Sequence, residues 1–246
     1  MAQKMLYWMG RYAVEMVARS LLDLNILYHE ALPAGAKIFA PNHPTTLDPF
    51  VIPIVSPEQV HILVTESAFK APVFGSYLKS AGHIRVISEE GGRAFEEAKQ
   101  LLRADKSVAI FPEGALSPTG KVARPHTGVV RLALLTGAPI IPVGIALDPA
   151  RIRLHDTGIK DRNGDSEIAR LYLDGPYFIT LGAPIHLHGD SEDRALVSQE
   201  TQRVMRRIIR LSRMSQYRIE GQELPKDAVE TNAIGTLSIP FEIPTR

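Results

Sequence analysis

The sequence predicts an α/β protein with a mixed, largely parallel sheet flanked by helices and with an amphipathic helix near the N-terminal end. Short apolar segments alternate along the 246 residues with segments of helical periodicity, a pattern typical of sheets whose strands are connected by helices. Hydrophobic residues make up 45% of the chain and charged residues 22%, as in folded globular proteins. No window of about 20 uncharged apolar residues occurs, so we expect no transmembrane helix.

Shifts in composition divide the chain into three segments. Residues 1–21 form the amphipathic helix, residues 22–218 contain the alternating elements of the α/β domain, and residues 219–246 form a C-terminal tail. The tail has three prolines, five acidic and two basic residues, and no clear apolar period. We therefore expect the tail to pack on the surface of the domain rather than to build its core.

Apolar runs that end at Gly, Pro or charged residues predict the strands of the sheet. These strands cover residues 24–29, 37–40, 61–64, 107–111, 140–147 and 177–181. Apolar residues spaced three and four apart predict helices over residues 93–104, 128–135 and 194–218, and a short helix follows Asp48. Gly137 stands just beyond the helix of residues 128–135, where a left-handed C-terminal cap is expected.

The first helix has an apolar face, opposite a face that carries Lys4, Arg11, Glu15 and Arg19. The apolar residues recur at three- and four-residue steps: Met5, Trp8, Met9, Tyr12, Ala13, Met16, Val17 and Leu21. Two interpretations stay open. The apolar face can pack on the core of the domain, as in most amphipathic helices. Alternatively, it lies at a membrane surface, where Trp and Tyr with Lys and Arg nearby are typical.

The last predicted helix is strongly basic, with seven Arg against one Glu over residues 194–218. Its second half carries Arg203, Arg206, Arg207, Arg210 and Arg213. Such a row attracts an anionic membrane surface, and we expect it to add charge to the apolar contact of the first helix. The alternative is a solvated face with a few ion pairs.

The overall charge and the absence of cysteine exclude several classes of protein. There are 28 Lys and Arg against 27 Asp and Glu, so a uniformly basic nucleic-acid-binding protein is excluded and no nucleic acid partner is expected. Because the chain has no cysteine, it can form no disulfide, thiolate zinc site or cysteine nucleophile.

A loop with a proline on each side follows the strand of residues 37–40 and contains the side chains best suited to catalysis. His43 and Asp48 stand five residues apart in it, with Asp48 at the start of a helix. That spacing lets the carboxylate bind one imidazole nitrogen and stabilise the imidazolium, while the other nitrogen stays free as a base. The pair resembles a catalytic triad without its nucleophile, so the hydroxyl of a bound substrate could be deprotonated instead. The alternative interpretation is a structural or incidental pair.

A second segment, Phe111-Pro112-Glu113-Gly114, ends another apolar strand. Pro and Gly around a carboxylate produce a tight turn at the strand end, which is the edge where ligand sites of α/β sheets lie. The alternative interpretation is an ordinary charged turn.

Together and in this order, the two segments resemble those of the glycerolipid acyltransferases, which include the glycerol-3-phosphate and lysophosphatidate acyltransferases. The family's first motif, Asn-His-x4-Asp, is present as Asn42, His43 and Asp48, and its third motif, Phe-Pro-Glu-Gly, as residues 111–114. An apolar strand with central prolines, residues 138–143, and a Gly-Ala-Pro-Ile segment, residues 182–185, also match. The resemblance covers residues 22–185, so the α/β domain would be the acyltransferase domain.

The resemblance implies that His43 is the catalytic base and that Asp48 orients it. The residues assigned to substrate binding lie in and after the two motifs: Asn42, Thr45, Glu113, Gly114, Ser117, Lys121, Arg124 and His126.

Two positions depart from the family pattern. Ser88 stands where the second motif usually ends in Arg, and Leu116 stands where an Arg usually follows the third motif. The family resemblance assigns both arginines to the acceptor phosphate, which Arg binds through two parallel hydrogen bonds. We therefore expect a weaker preference for phosphate acceptors than is usual in the family. Basic side chains that could compensate are Arg85, Arg93, Lys121, Arg124 and His126.

The resemblance implies an O-acyltransferase of phospholipid biosynthesis or remodelling. It would move a fatty acyl chain from an acyl thioester, on coenzyme A or acyl carrier protein, to a hydroxyl of a lipid or lysolipid. No metal or cofactor is expected, and the protein would be peripheral at the cytoplasmic face of a membrane. The alternatives are a thioester or ester hydrolase and an inactive lipid-binding relative. A serine hydrolase is disfavoured because no Gly-x-Ser-x-Gly elbow occurs, and a metal-dependent phosphohydrolase because one His and one Asp are too few ligands.

Overall fold

The computed structural model of the protein describes residues 2–70, 74–87, 90–117, 125–160 and 166–222. Ser88, Lys121 and Arg124 lie outside these ranges, and so do residues 223–246 of the predicted tail. The strands are β1 (Leu22–Tyr28), β2 (Ile38–Pro41), β3 (Val60–Thr65), β4 (Ile84–Val86), β5 (Ser107–Ala109), β6 (Ile140–Leu147), β7 (Arg153–Lys160), β8 (Ser166–Leu171) and β9 (Gly175–Leu181). The helices are α1 (Ala2–Leu21), α2 (Asp48–Val51), α3 (Glu66–Lys70), α4 (Phe74–Ser80), α5 (Gly91–Arg103), α6 (Gly128–Thr136) and α7 (Arg194–Ile219).

Seven of the strands form one sheet, in the order β1-β9-β6-β2-β5-β3-β4. From β6 to β4 all neighbouring strands are parallel, whereas β9 runs antiparallel to β6 and β1 runs parallel to β9. The predicted α/β fold with a mixed, largely parallel sheet is therefore confirmed. Strands β7 and β8 form a separate antiparallel hairpin.

Helices pack on both faces of the sheet. Along β2, Phe39 points into the core that lies under α1 and α2, while Ile38 and Ala40 point into the core under α5, α6 and α7. The alternation follows from the period of two along a strand, and it explains why β2 is apolar at every position. Helices α1 and α7 consequently lie on opposite faces of the sheet, so the apolar face and the arginine row predicted to bind one membrane do not form one continuous surface.

Helix α1 packs on the domain with the side that carries Arg11 and Glu15. Tyr7 and Ala18 are buried, and the guanidinium of Arg11 donates to the carbonyl oxygens of Pro53 and Ile54. The apolar stripe faces outward instead, because Met9 is 60% exposed and Met16 is 67% exposed. Of the two interpretations of this helix, packing of the apolar face on the core is therefore wrong.

The predicted strands and helices are all present, with ends shifted by up to two residues. Gly137 has a φ of 74° and closes α6 as a left-handed cap, as predicted. The sequence patterns did not identify the short α3, α4 and β4 or the hairpin of β7 and β8. Within the described ranges, no helix combines the length and the hydropathy needed to cross a membrane.

Candidate active site

The two sequence motifs meet at one edge of the sheet. Strand β2 leads into the loop of His43, and its parallel neighbour β5 leads into the turn of Glu113. Because parallel strands end at the same edge, the two loops lie side by side where ligands of α/β proteins bind. The loops are also bonded directly, since Ser117 N donates to the carbonyl oxygen of His43 at 2.7 Å.

His43 and Asp48 form the pair that their spacing predicts. The Nδ1 atom of His43 lies 2.9 Å from Asp48 Oδ2. The Asp48 side chain is fully buried, whereas 16% of the His43 side chain is exposed. Because the carboxylate occupies Nδ1, Nε2 is the nitrogen that can take a proton from a substrate. The imidazole ring also stacks on Phe111, with centroids 4.2 Å apart, which fixes the plane of the ring.

Asp48 is held by three further hydrogen bonds. The backbone nitrogen of Thr45 donates to Oδ2 at 2.8 Å, and the hydroxyl of Thr45 donates to Oδ1 at 2.6 Å. Tyr177 of β9 donates to Oδ1 at 2.7 Å. Burial and the neighbouring Asp48 raise the pKa of Tyr177 well above its ordinary value, so the phenol stays a donor. The buried carboxylate thus has the hydrogen bonds that a buried charge requires.

Glu113 joins its turn to the backbone of the loop that contains His43. Its Oε1 accepts hydrogen bonds from His43 N at 3.1 Å and from Ser117 Oγ at 2.8 Å. Burial raises the pKa of Glu113, and these two hydrogen bonds oppose the rise. Its Oε2 is buried with no hydrogen-bond partner among the described residues. Glu113 lines a small crevice with Asn42 and residues of α7.

Two residues assigned to the substrate bind protein groups instead. The side-chain amide of Asn42 accepts from Ile145 N at 2.7 Å and donates to Ile145 O at 3.0 Å, which ties the end of β2 to β6. The hydroxyl and the backbone nitrogen of Thr45 both donate hydrogen bonds to the Asp48 carboxylate. Both residues therefore build the scaffold of the site in this structure.

Gly114 and His126 are brought together at the exposed side of the site. Gly114 has a φ of 68°, and a Cβ on it would lie 2.5 Å from the imidazole of His126. His126 is exposed, and its backbone nitrogen donates to Pro112 O at 2.8 Å.

Arg85 and Arg93, two of the basic residues considered for the acceptor phosphate, do not line the crevice that contains Glu113. Arg85 pairs with Glu66 at 3.7 Å and Arg93 with Glu90 at 3.6 Å. Both line a crevice with Ile87. Leu116 is half-buried at the end of the Glu113 turn. Within the described part of the chain, no three His, Asp or Glu side chains are grouped as metal ligands would be.

The sequence patterns missed two residues that reach the site from outside the motifs. Tyr177 was placed in a strand, but the direction of its hydroxyl depends on the antiparallel pairing of β9 with β6. Arg170 comes from β8, and its guanidinium donates to Ser117 O at 2.6 Å. No local sequence signal identifies either contact.

The fold and the paired loops define the class of the protein: an α/β protein with a histidine–aspartate pair beside a Phe-Pro-Glu-Gly turn. The chain belongs to the Acyltransferase family, whose model matches residues 24–146.

Individual relatives are distant. Over 110 residues, which are 43% of this chain, it is 31% identical to a 1-acyl-sn-glycerol-3-phosphate acyltransferase of Cocos nucifera and 27% identical to one of Limnanthes alba. The matches span only 36% and 39% of those two proteins. The crystal structure of PlsC, the lysophosphatidate acyltransferase of Thermotoga maritima, has the same fold, with a TM-score of 0.56 at 17% identity. That likeness covers 91% of this chain and 81% of PlsC.

Proposed function

We propose that the protein transfers a fatty acyl chain from an acyl thioester, on coenzyme A or acyl carrier protein, to a hydroxyl of a lipid or lysolipid in phospholipid biosynthesis or remodelling. The observation that carries the proposal is the bond between His43 Nδ1 and the buried Asp48, which reserves Nε2 for the acceptor. Membership of the acyltransferase family supports it.

The reaction proceeds by direct attack of the acceptor. His43 Nε2 takes the proton of the acceptor hydroxyl while the hydroxyl oxygen attacks the thioester carbonyl. The tetrahedral oxyanion then collapses, the carbon–sulfur bond breaks, and the thiolate takes the proton back from His43. Asp48 stabilises the imidazolium in between. The sequence of steps needs no metal and no cofactor, because a base and a thiolate leaving group suffice.

The acceptor is proposed to be a lysolipid with a weaker requirement for a phosphate monoester than is usual in the family. The plant relatives are named for 1-acyl-sn-glycerol-3-phosphate, which supports a lysolipid acceptor. Leu116 follows the Glu113 turn where the family has an Arg. A hydrogen bond from a charged donor is worth about 1.5–3 kcal/mol, so its loss weakens phosphate recognition.

We also propose that the protein acts at the cytoplasmic face of a membrane as a peripheral protein. The exposed apolar stripe of α1, which includes Met5, Met9, Tyr12 and Met16, supports this location. Lys4 and Arg19 are exposed near its two ends and suit an anionic surface.

One assay tests the activity. Purified protein is incubated with labelled acyl-CoA or acyl carrier protein, with and without lysophosphatidate or a phosphate-free lysolipid. We expect His43→Ala and Asp48→Asn to lower acyl transfer by about two to four orders of magnitude. The exposed His188 is the matched control, and His188→Ala should leave the rate unchanged.

Three outcomes contradict the proposal. Thioester loss that is independent of the acceptor identifies a hydrolase. No thioester consumption at all identifies an inactive lipid-binding relative. Transfer that persists at the wild-type rate in folded His43→Ala removes the mechanism.

A further inference from the structure

Arg170 lies on a hairpin that is not part of the main sheet. It stands on β8 opposite Leu154 of β7, and its side chain reaches the catalytic loops. Arg153 occupies the same hairpin on the opposite face, because it pairs with Leu171 and neighbouring residues of a strand point to opposite sides.

The guanidinium of Arg170 bridges the two loops of the active site. Its Nη1 donates to the carbonyl oxygen of Ser117 at 2.6 Å and, more weakly, to that of Pro44 at 3.5 Å. Pro44 follows His43 directly, and Ser117 shares Glu113 Oε1 with the backbone of His43. One side chain therefore contacts both Pro44, which follows His43 in the chain, and Ser117, which lies beside His43 in the fold.

The backbone of Arg170 adds a second connection. Its nitrogen donates to Thr46 Oγ1 at 2.9 Å, and Thr46 N donates to its carbonyl oxygen at 3.1 Å. The hairpin and the catalytic loop are thus joined by a reciprocal pair of hydrogen bonds as well as by the guanidinium.

The charge of Arg170 is matched by the acids of the site. Burial lowers the pKa of its guanidinium, whereas the carboxylates of Glu113 and Asp48 raise it. Removal of the cation would take one favourable electrostatic partner from the carboxylates of Glu113 and Asp48.

We propose that Arg170 is a positioning residue for acyl transfer, which holds the His43 loop against the Glu113–Ser117 turn and so fixes the base relative to the acceptor. The proposal rests on the proposed function for its kinetic readout. Arg170 acts through His43 and does not contact the reacting atoms.

The kinetic test compares Arg170→Met and Arg170→Lys with Arg153→Met, the matched control from the other face of the hairpin. A base held in the wrong place slows the chemical step and leaves binding unchanged. We expect kcat to fall about 10- to 100-fold in Arg170→Met, with KM for donor and acceptor within about threefold of wild type. Arg170→Lys should recover part of kcat because it keeps the charge, and Arg153→Met should match wild type.

Two kinetic results would overturn the proposal. If kcat is unchanged and KM rises only for a phosphate-bearing acceptor, Arg170 binds the acceptor directly. If Arg153→Met loses as much kcat as Arg170→Met, the effect belongs to the hairpin as a whole. Should Arg170→Met fail to fold, Thr46→Val takes its place, because it removes the hydroxyl that accepts from Arg170 N and is expected to lower kcat in the same way.

A measurement without turnover separates this proposal from the proposed function. The low-field proton signal of His43 Nδ1, assigned by its loss in His43→Ala, reports the geometry of the His43–Asp48 bond. We expect the signal to shift or broaden in Arg170→Met and Thr46→Val and to stay in place in Arg153→Met. An unchanged signal in both variants refutes the positioning role, even if wild type is active. A changed signal in a protein without transfer activity supports positioning while the proposed function fails.

Discussion

Glu113 combines a burial that disfavours charge with hydrogen bonds that favour it. Its Oε1 serves the backbone of His43 and the hydroxyl of Ser117, whereas Oε2 has no donor among the described residues. A buried carboxylate oxygen without a donor costs free energy in the ionised form. The residue that joins the two loops therefore does so at the expense of stability at neutral pH.

This cost predicts a pH-dependent effect of Glu113→Gln on stability. The folded state raises the pKa of Glu113, so its contribution to stability is fully present below the ordinary value and is lost as pH rises through the raised value. Glutamine keeps the Oε1 acceptor and cannot ionise. We expect the unfolding free energy of the variant, relative to wild type, to increase between about pH 4 and pH 8.

Urea unfolding at both pH values checks this, with Glu30→Gln at an exposed position as the control. A difference between Glu113→Gln and wild type that stays constant with pH, or decreases as pH rises, would contradict the argument.

At this scale the sequence predicts the contacts that are local and misses those that are distant. His43 and Asp48 are five residues apart, so one turn of chain determines whether they meet. Tyr177 is 129 residues from Asp48, and Arg170 is 126 residues from Pro44. Those two contacts depend on the order of the strands, which no periodicity encodes.

At the scale of the elements, α7 lies directly against the backbone of β6 at Gly144. A Cβ on Gly144 would lie 2.0 Å from Ser212 N and 2.1 Å from the carbonyl carbon of Leu211. Both atoms belong to the backbone of α7, so they cannot move aside as a flexible side chain could. Only glycine allows this helix to lie on the strand beside Asn42, which bonds to the next residue, Ile145.

We therefore expect Gly144→Ala to destabilise the protein by about 1–3 kcal/mol or more, the usual cost of overpacking. Gly92 of α5 is the control, because nothing lies within 4 Å of a Cβ there and alanine favours a helix. Thermal melting checks both variants. A melting temperature of Gly144→Ala at or above that of Gly92→Ala would contradict this prediction.

The sequence pattern is least ambiguous for the strands that are buried by both layers of helices. Strand β6 is buried at all eight positions, so its apolar run is unambiguous. The hairpin of β7 and β8 was missed because some of its residues contact the loops of the site and others face solvent. Leu154 and Ile168 are exposed apolar residues in it, and a charged residue stands opposite each. Such a strand carries no clean alternation.

At the scale of the whole molecule, the two features that were predicted to bind one membrane surface lie apart. The apolar stripe of α1 and the arginine row of α7 lie on opposite faces of the sheet, as their two cores show. The stripe is exposed because α1 packs on the domain through Tyr7 and Arg11. Hydrophobic periodicity alone does not predict which face of the helix packs. A membrane that meets the stripe would therefore not meet the arginine row on the same surface.

This layout predicts which substitutions release the protein from lipid. Met9→Ser with Met16→Ser removes two of the most exposed side chains of the stripe, and burial of a methionine is worth about 1.5–3 kcal/mol. We expect this double variant to bind anionic vesicles at least about tenfold more weakly in a flotation assay. Arg206→Gln with Arg207→Gln, on the other face, should change binding far less. Removal of the whole helix would be uninformative because Tyr7 belongs to the folded domain. Equal flotation of the methionine variant and wild type would contradict the proposed membrane contact, and release by the arginine variant alone would assign that contact to α7.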